Sequence, residues 1–403
     1  MAAPQPAASS GLRLPAGFSV ASVPQKIPCR VIAQIEAFIR IFDRVTTRPP
    51  WQESVPRTAP AIARLRRTEV CFFSAWDFHI PATHPEGWQL IEFNDNGSGF
   101  LFAALINRTF YERSGAPADI EAPLAFPAFA ARVTDMVEKE AARFHGRVPD
   151  GLFLILDDAQ SLQHGRFRDE LVMLRDLFRR RGWQSDLSSP AELDWDGKVL
   201  RQGGRAVAFV VNRSTDFFWE AEAYAALRAA YLCDSVYVAP SPFTYATRSD
   251  KRLLALLSRP ERDQELGIEA DERAELSAHV PETHQLREEN LDEIVRRKDE
   301  FVFKPAHGFA GRGVLASSQV GRSRLRRLLK QDVEYVAQRV APKSCIRGVG
   351  PSGSTLWTDL RVWAYRGECF LISGRASVRP DSIDLTPPGG WIPTFVEVEG
   401  HEK

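Results

Sequence analysis

The sequence predicts a mixed α/β protein (α+β overall) containing a small Rossmann-like layer, and three observations predict it. Residues 149–240 alternate an apolar strand, a helix with one apolar face, and a second apolar strand; a parallel strand pair needs such a crossover helix. Residues 241–403 alternate charged helices with strong strands. The composition, 44% hydrophobic and 26% charged over 403 residues, is that of a globular chain with sizeable cores and excludes wholesale disorder.

Residues 1–26 are expected to form a flexible leader. The first 24 are Ala/Pro/Ser-rich with Arg13 as their lone charge, and they lack the basic and continuous apolar regions of a signal peptide. In 27–148 the pattern predicts a helix over 31–45 and strands over 70–73 and 88–93. Pro81, Pro85 and Gly87 make the intervening 79–87 a turn. Antiparallel pairing there puts Asp77 near Glu92 and Asn94. After Gly97-Ser98-Gly99 a helix begins at Phe100.

In 149–240 a strand over 151–156 ends in Asp157-Asp158. The next helix carries Leu171, Leu174, Leu177 and Phe178 on one face and stops before Gly182. A strand over 206–211, a helix with Tyr224, Leu227 and Tyr231 on one side, and a strand over 235–238 complete the layer. No Gly-x-Gly-x-x-Gly turn follows its first strand, so dinucleotide binding is not signalled. In 241–403, strands are expected over 300–304 and 333–340, with a hairpin of 359–365 and 369–373 turning at Arg366-Gly367. The Pro/Gly-rich 386–391 reads as an ordered loop or sheet edge.

Charge narrows the possible partners. Lys and Arg number 52, Asp and Glu also 52, so no broad basic surface for nucleic acid is expected and any cationic site is a local patch. No apolar run approaches the roughly 20 residues that cross a bilayer, so a membrane partner is not expected either. The five cysteines are scattered without a Cys-x-x-Cys pair, which indicates neither a disulfide framework nor a cysteine zinc site and suits a reducing cytoplasm. Arg322, Arg324, Arg326, Arg327 and Lys330 alternate with Leu325, Leu328 and Leu329, as on an amphipathic helix with a solvated basic face. His79 and His84 flank Pro81, which breaks the helix that would align them on zinc.

Three elements carry chemistry. In 301–315, Lys304-Pro305 runs into a loop with Gly308, Gly311, Arg312 and Gly313. Glycines let backbone N–H groups approach phosphate oxygens, while Lys304 supplies a point charge and Arg312 a planar fork; a plain hairpin with a surface lysine is the competing reading. In 90–99, Glu92 and Asn94 lie two apart and so on one strand face, with Asp77 upstream. Two carboxylates and an amide oxygen at a strand end suit Mg²⁺, a hard cation that relies on phosphates to complete its octahedron; turn chemistry at Asp95-Asn96-Gly97 is the alternative. Thirdly, Asp359 and Arg361 share a strand face that Arg375 could join across the hairpin, although an exposed strand also carries such charges as a solvated face.

Taken in order, these motifs resemble the ATP-grasp superfamily, and within it the circularly permuted branch that includes the synthetase domain of glutathionylspermidine synthase. That branch places the acidic metal strands first, as an aspartate followed by Glu-x-Asn, matched by Trp76-Asp77-Phe78 and Glu92-Phe93-Asn94. Ser98 lies where the family has small hydroxyl residues near the phosphates. A Rossmann-like layer comes next, like 152–238. The resemblance then implies nucleotide lysines at Lys251, after Asp250, and at Lys304, in a Lys-Pro pair before the glycine loop. It further implies an adenine-side Gln338 and a phosphoryl-contacting arginine at Arg375, with Arg361 second.

The chain departs from the pattern at Ala75, where the family often has an arginine, and it has no obvious amidase domain. The expectation is an ATP- and Mg²⁺-dependent carboxylate–amine ligase acting through an acylphosphate on small-molecule or peptide substrates. Its parts would be an N-terminal ATP-grasp portion over 27–148, the Rossmann-like layer over 149–240, and the nucleotide-binding portion over 241–403. A small-molecule kinase and a non-catalytic nucleotide-binding protein are the alternatives. Neither the substrates nor the oligomeric state is legible.

Overall fold

The computed structural model describes residues 18–70, 72–308, 313–331, 333–350, 352–380 and 385–398. Its largest sheet is antiparallel. The order is Gly390–Ile392, Glu368–Ser377, Ser354–Tyr365, Ser74–His79 and Gln89–Asn94, with Ser344–Val349 also paired to Ser354–Tyr365. The strand expected over 70–73 begins instead at Ser74. Phe72 and Phe73 are buried with their rings nearly perpendicular, 4.5 Å apart, because an apolar run marks burial without deciding backbone conformation.

Alternation along Ser74–His79 separates two jobs. Trp76 and Phe78 join the core under the helix Cys29–Thr47, where Phe42 meets Trp76 edge-on at 4.8 Å. That helix buries Val31, Ile35, Phe38, Ile39, Phe42 and Val45, each worth about 1.5–3 kcal/mol of transfer free energy. Ala75 packs on the opposite face beside Phe73, Phe100 and Trp363, leaving Asp77 on that face two residues further along the strand.

The Rossmann-like sheet holds Ser185–Ser188, Leu152–Leu156, Arg205–Asn212 and Tyr237–Ala239, all parallel. Two short antiparallel strands extend it. The crossover helix Arg168–Arg180 buries Leu171, Leu174, Leu177 and Phe178, the face expected from the sequence. A third, antiparallel sheet of Thr283–Gln285, Tyr335–Arg339 and Phe301–Pro305 stands apart. Beside it, helix Arg322–Leu328 buries Leu325 and Leu328, and Arg322 and Arg326 pair with Asp292 and Glu288.

The hairpin turns at Arg366 and Gly367 with φ of 50° and 78°, the left-handed pair that a two-residue turn between twisted strands requires. Glu140 holds it: Arg366 donates through Nε at 2.6 Å and Nη2 at 2.8 Å, and the Tyr365 hydroxyl donates as well.

The leader expectation needs correcting from residue 18 onward. Val20 bridges Trp391, Ala21 is buried, and Gln25–Pro28 pairs in parallel with Thr394–Glu397. Backbone pairing with the chain's far end, invisible to local composition, orders this segment; residues 1–17 lie outside the described residues.

Candidate functional site

Lys304 enters the site from the third sheet and is 7% exposed. Its Nζ donates to Gln338 Oε1 at 2.5 Å and reaches the Ile91 carbonyl at 3.3 Å, tying that sheet to the Gln89–Asn94 strand. Gln338 is 1% exposed, and its Nε2 has no hydrogen-bond partner among the described residues. A buried donor left without an acceptor costs about 1–3 kcal/mol, so it marks a place for one. Lys251, just before helix Arg252–Leu257, donates to the Gly308 carbonyl at 2.5 Å and lies 3.4 Å from Glu92.

Both lysines therefore converge on Glu92. Burial pulls the Lys304 ammonium down to about 8, with Glu92 and Asp77 opposing and Lys251 adding to the fall. Burial disfavours the charged form of Glu92 as well, yet Lys251 and Lys304 outweigh it and hold the carboxyl below its usual range. Asn94 donates through Nδ2 to Glu92 Oε1 at 2.8 Å, so its carbonyl oxygen is not used in that bond.

Asp77 stands opposite Glu92 in the strand register. Its carboxylate takes a forked pair from Arg361, Nε at 2.6 Å and Nη2 at 2.7 Å, and a third bond from Arg375 Nη2 at 2.8 Å. Arg375 also binds Asp359, its register partner, at 2.6 Å through Nη2. Burial would raise the Asp77 carboxyl, but the two guanidiniums overcome it and hold the group far below the ordinary aspartate range. Arg375 lies on the second strand of the hairpin, two strands from Asp77. Of these charges, the sequence joined Asp359, Arg361 and Arg375; the structure adds Asp77 to the network.

Ser98 has a partner the sequence did not suggest. Arg213, 6% exposed, follows the strand Arg205–Asn212; its Nη1 donates to the Gly97 carbonyl at 3.0 Å and its Nη2 to the Ser98 hydroxyl. Glu170 lies 4.0 Å from Arg213 and accepts from the Gly99 and Leu101 amides at 2.7 and 3.0 Å, at the start of helix Phe100–Arg113. The available signal was a charged residue at the carboxyl end of an apolar parallel strand, where α/β sheets hold ligands. Ala75 is 0% exposed and packs closely on Gly97. A Cβ on Gly97 would lie 2.9 Å from that of Ala75 and 2.0 Å from the Phe73 carbonyl.

The glycine loop is described in part. Gly308 accepts from Lys251; Gly313 has φ of 74°, with Pro305 2.9 Å from where a Cβ would lie. Gly311 and Arg312 lie outside the described residues. At the base of the loop, His307 Nδ1 meets the Tyr245 hydroxyl at 3.1 Å, and Phe217 stacks on Tyr245 at 3.9 Å. The sequence picked out neither contact.

The oxygen donors of Glu92, Asn94 and Asp77 are of the kind Mg²⁺ takes. Among the described residues no group of three His, Cys, Asp or Glu side chains forms a metal cage. Asp77 is the constrained member, already bound by two guanidiniums. Among the described residues no helix is long and apolar enough to cross a membrane.

No protein-family model and no curated protein sequence matches the chain. Solved structures do. A glutathione synthetase-like effector, GSS30, from Globodera pallida superposes with a TM-score of 0.58 at 10% identity, over 94% of this chain and 90% of its own. A putative gamma-glutamylcysteine synthetase from Methylobacillus flagellatus gives 0.50 at 10% identity, over 90% and 87%. The chain thus has a mixed α/β fold, similar over nearly its whole length to that of a glutathione synthetase-like protein.

Proposed function

We propose that the protein is an ATP-dependent carboxylate–amine ligase that forms an amide bond through an acylphosphate. The observation that carries this reading is the buried Lys304–Gln338 pair with its orphaned Gln338 Nε2, set beside Lys251 and Glu92. An acceptor on a purine satisfies the amide, and phosphates satisfy two lysines that otherwise crowd one carboxylate. The order of the motifs supports the finer reading, a circularly permuted ATP-grasp enzyme resembling glutathionylspermidine synthase, with the parts divided as the sequence suggested.

In this reading Lys304 and Lys251 neutralise the phosphates, and Gln338 orients the base. Glu92 and Asn94 would hold Mg²⁺, with Asp77 supplying a third oxygen; when bound, the ion neutralises charge on the phosphates. Phosphoryl transfer asks mainly for positioning and charge stabilisation. Arg375 and Arg361, kept rigid by Asp77 and Asp359, face the charge that develops as the phosphoryl group passes to the substrate carboxylate. The amine then attacks the acyl carbon, and inorganic phosphate leaves.

Arg213 would bind a carboxylate of the acceptor beside Ser98, supplying a cation where Ala75 stands in place of the family arginine. The substrates on this reading are small-molecule or peptide carboxylates and amines in the cytoplasm. ATP-dependent phosphate release and amide formation across a panel of such pairs test it. Lys304→Ala and Glu92→Ala each abolish turnover while remaining folded; full turnover in both overturns it.

A further inference from the structure

A cavity of about 390 Å³ opens on the face of the large sheet away from Asp77, between helix Cys29–Thr47, the strand Ser74–His79 and the Arg366-Gly367 turn. Four arginines line it, Arg40, Arg44, Arg248 and Arg366, against one acidic residue, Asp43. Trp76 also lines it. Its side chain is 0% exposed, and its Nε1 has no hydrogen-bond partner among the described residues. Trp76 adjoins Asp77 in sequence but points to the opposite side of the strand, so this cavity is separate from the candidate nucleotide site.

Three of the guanidiniums are held by carboxylates that do not line the cavity, and Arg248 by one that does. Arg40 pairs with Glu36, Arg44 with Glu272 at 3.5 Å, and Arg366 with Glu140 at 2.6 Å. Arg248 lies 2.8 Å from Asp43 and 3.6 Å from buried Asp95. A guanidinium carries five N–H donors, and one carboxylate engages two at most. Arg366 uses Nε and Nη2 on Glu140, which leaves Nη1 for another acceptor. The side chains of Arg40 and Arg44, 51% and 54% exposed, are open to a ligand arriving from solvent.

We propose that this cavity binds a small organic anion bearing at least two carboxylate or phosphate groups. Fixed guanidinium forks recognise such oxygens bidentately. The volume lies within the range of small-molecule sites, about 300–1,000 Å³, and exceeds what a single inorganic anion fills. The site does not depend on the ligase reading.

Citrate and inorganic pyrophosphate are the probes, titrated calorimetrically into the Lys251→Ala/Lys304→Ala double variant so that the nucleotide site cannot account for the heat. At least one of them binds; citrate alone indicates a carboxylate ligand and pyrophosphate alone a phosphate ligand. Adding Arg40→Gln and Arg44→Gln, both at exposed side chains, weakens that binding at least about tenfold. Thr47→Glu, which puts a carboxylate at the exposed rim, does the same. Unchanged thermal unfolding shows that the variants are folded. No binding of either probe up to about 10 mM, or equal affinity in the Arg40/Arg44 and Thr47 variants, overturns the proposal.

Discussion

Asp77 and Arg361 face each other across two central strands, 284 positions apart in sequence, joined by a forked ion pair of 2.6 and 2.7 Å. Both are nearly buried, with side chains 5% and 13% exposed. Removing one partner of a buried pair leaves an uncompensated charge, at a cost of about 3–5 kcal/mol. Asp77→Asn is therefore expected to lower unfolding stability by that order in denaturant titrations. Arg361→Met with Asp77→Leu, which removes both charges, recovers part of the loss even though turnover stays abolished.

On the proposed reading, Lys304 makes the nucleotide site sensitive to pH. Its ammonium titrates at about 8 in the folded protein, below its ordinary value, so the charged clamp is present below that pH and lost above it. ATP affinity is expected to fall as pH rises through about 8, and the Lys304→Ala variant loses that limb while binding weakly throughout. The stability sign is opposite. Between about 8 and the ordinary lysine range the unfolded chain binds more protons, so Lys304 lets stability rise with pH there.

Arg213→Met separates the two substrates. A charge-assisted bond is worth about 1.5–3 kcal/mol, so KM for the carboxylate acceptor should rise roughly 10- to 100-fold with KM for ATP little changed. Steady-state kinetics with each substrate varied in turn would show it. An equal rise in both would remove Arg213 from the acceptor side.

Glu140 lies outside the proposed nucleotide site. Glu140→Ala strands Arg366 and Tyr365 at the hairpin turn and is expected to cost about 3 kcal/mol. The midpoint of denaturation falls, while ATP affinity measured on the folded protein is retained.

Asp157 ends the first strand of the Rossmann-like layer, and burial raises its carboxyl to about 7. The folded state holds this proton more tightly than the unfolded chain does, so stability falls as pH rises from the ordinary aspartate range to about 7. Asp157→Asn should flatten that part of the melting-temperature profile and be the more stable protein above pH 7.

Much of the candidate site was legible because its residues lie in short local patterns. Glu92 and Asn94 share a face by strand alternation, and Lys304-Pro305 ends a strand before glycines. Even the register of Asp77 with Glu92 followed from a short antiparallel connection, although the strand start was misread at 70–73. Arg213, Glu170, and the Tyr245–His307 contact were not legible, because each acts on a partner 60 to more than 100 positions away.

By itself the sequence determined the periodicities, and with them the elements, the Rossmann-like crossover and the residue types gathered in the candidate site. Only the tertiary structure decided which charges oppose which. It closed Asp77 onto Arg361 and Arg375, brought Lys251 and Lys304 to one carboxylate, and ordered residues 18–28 against the far end of the chain. The physical reason is that hydrophobic periodicity specifies a face but not the partner packed against it. A buried charge takes its role from whichever opposite charge the folded chain brings within a few ångströms.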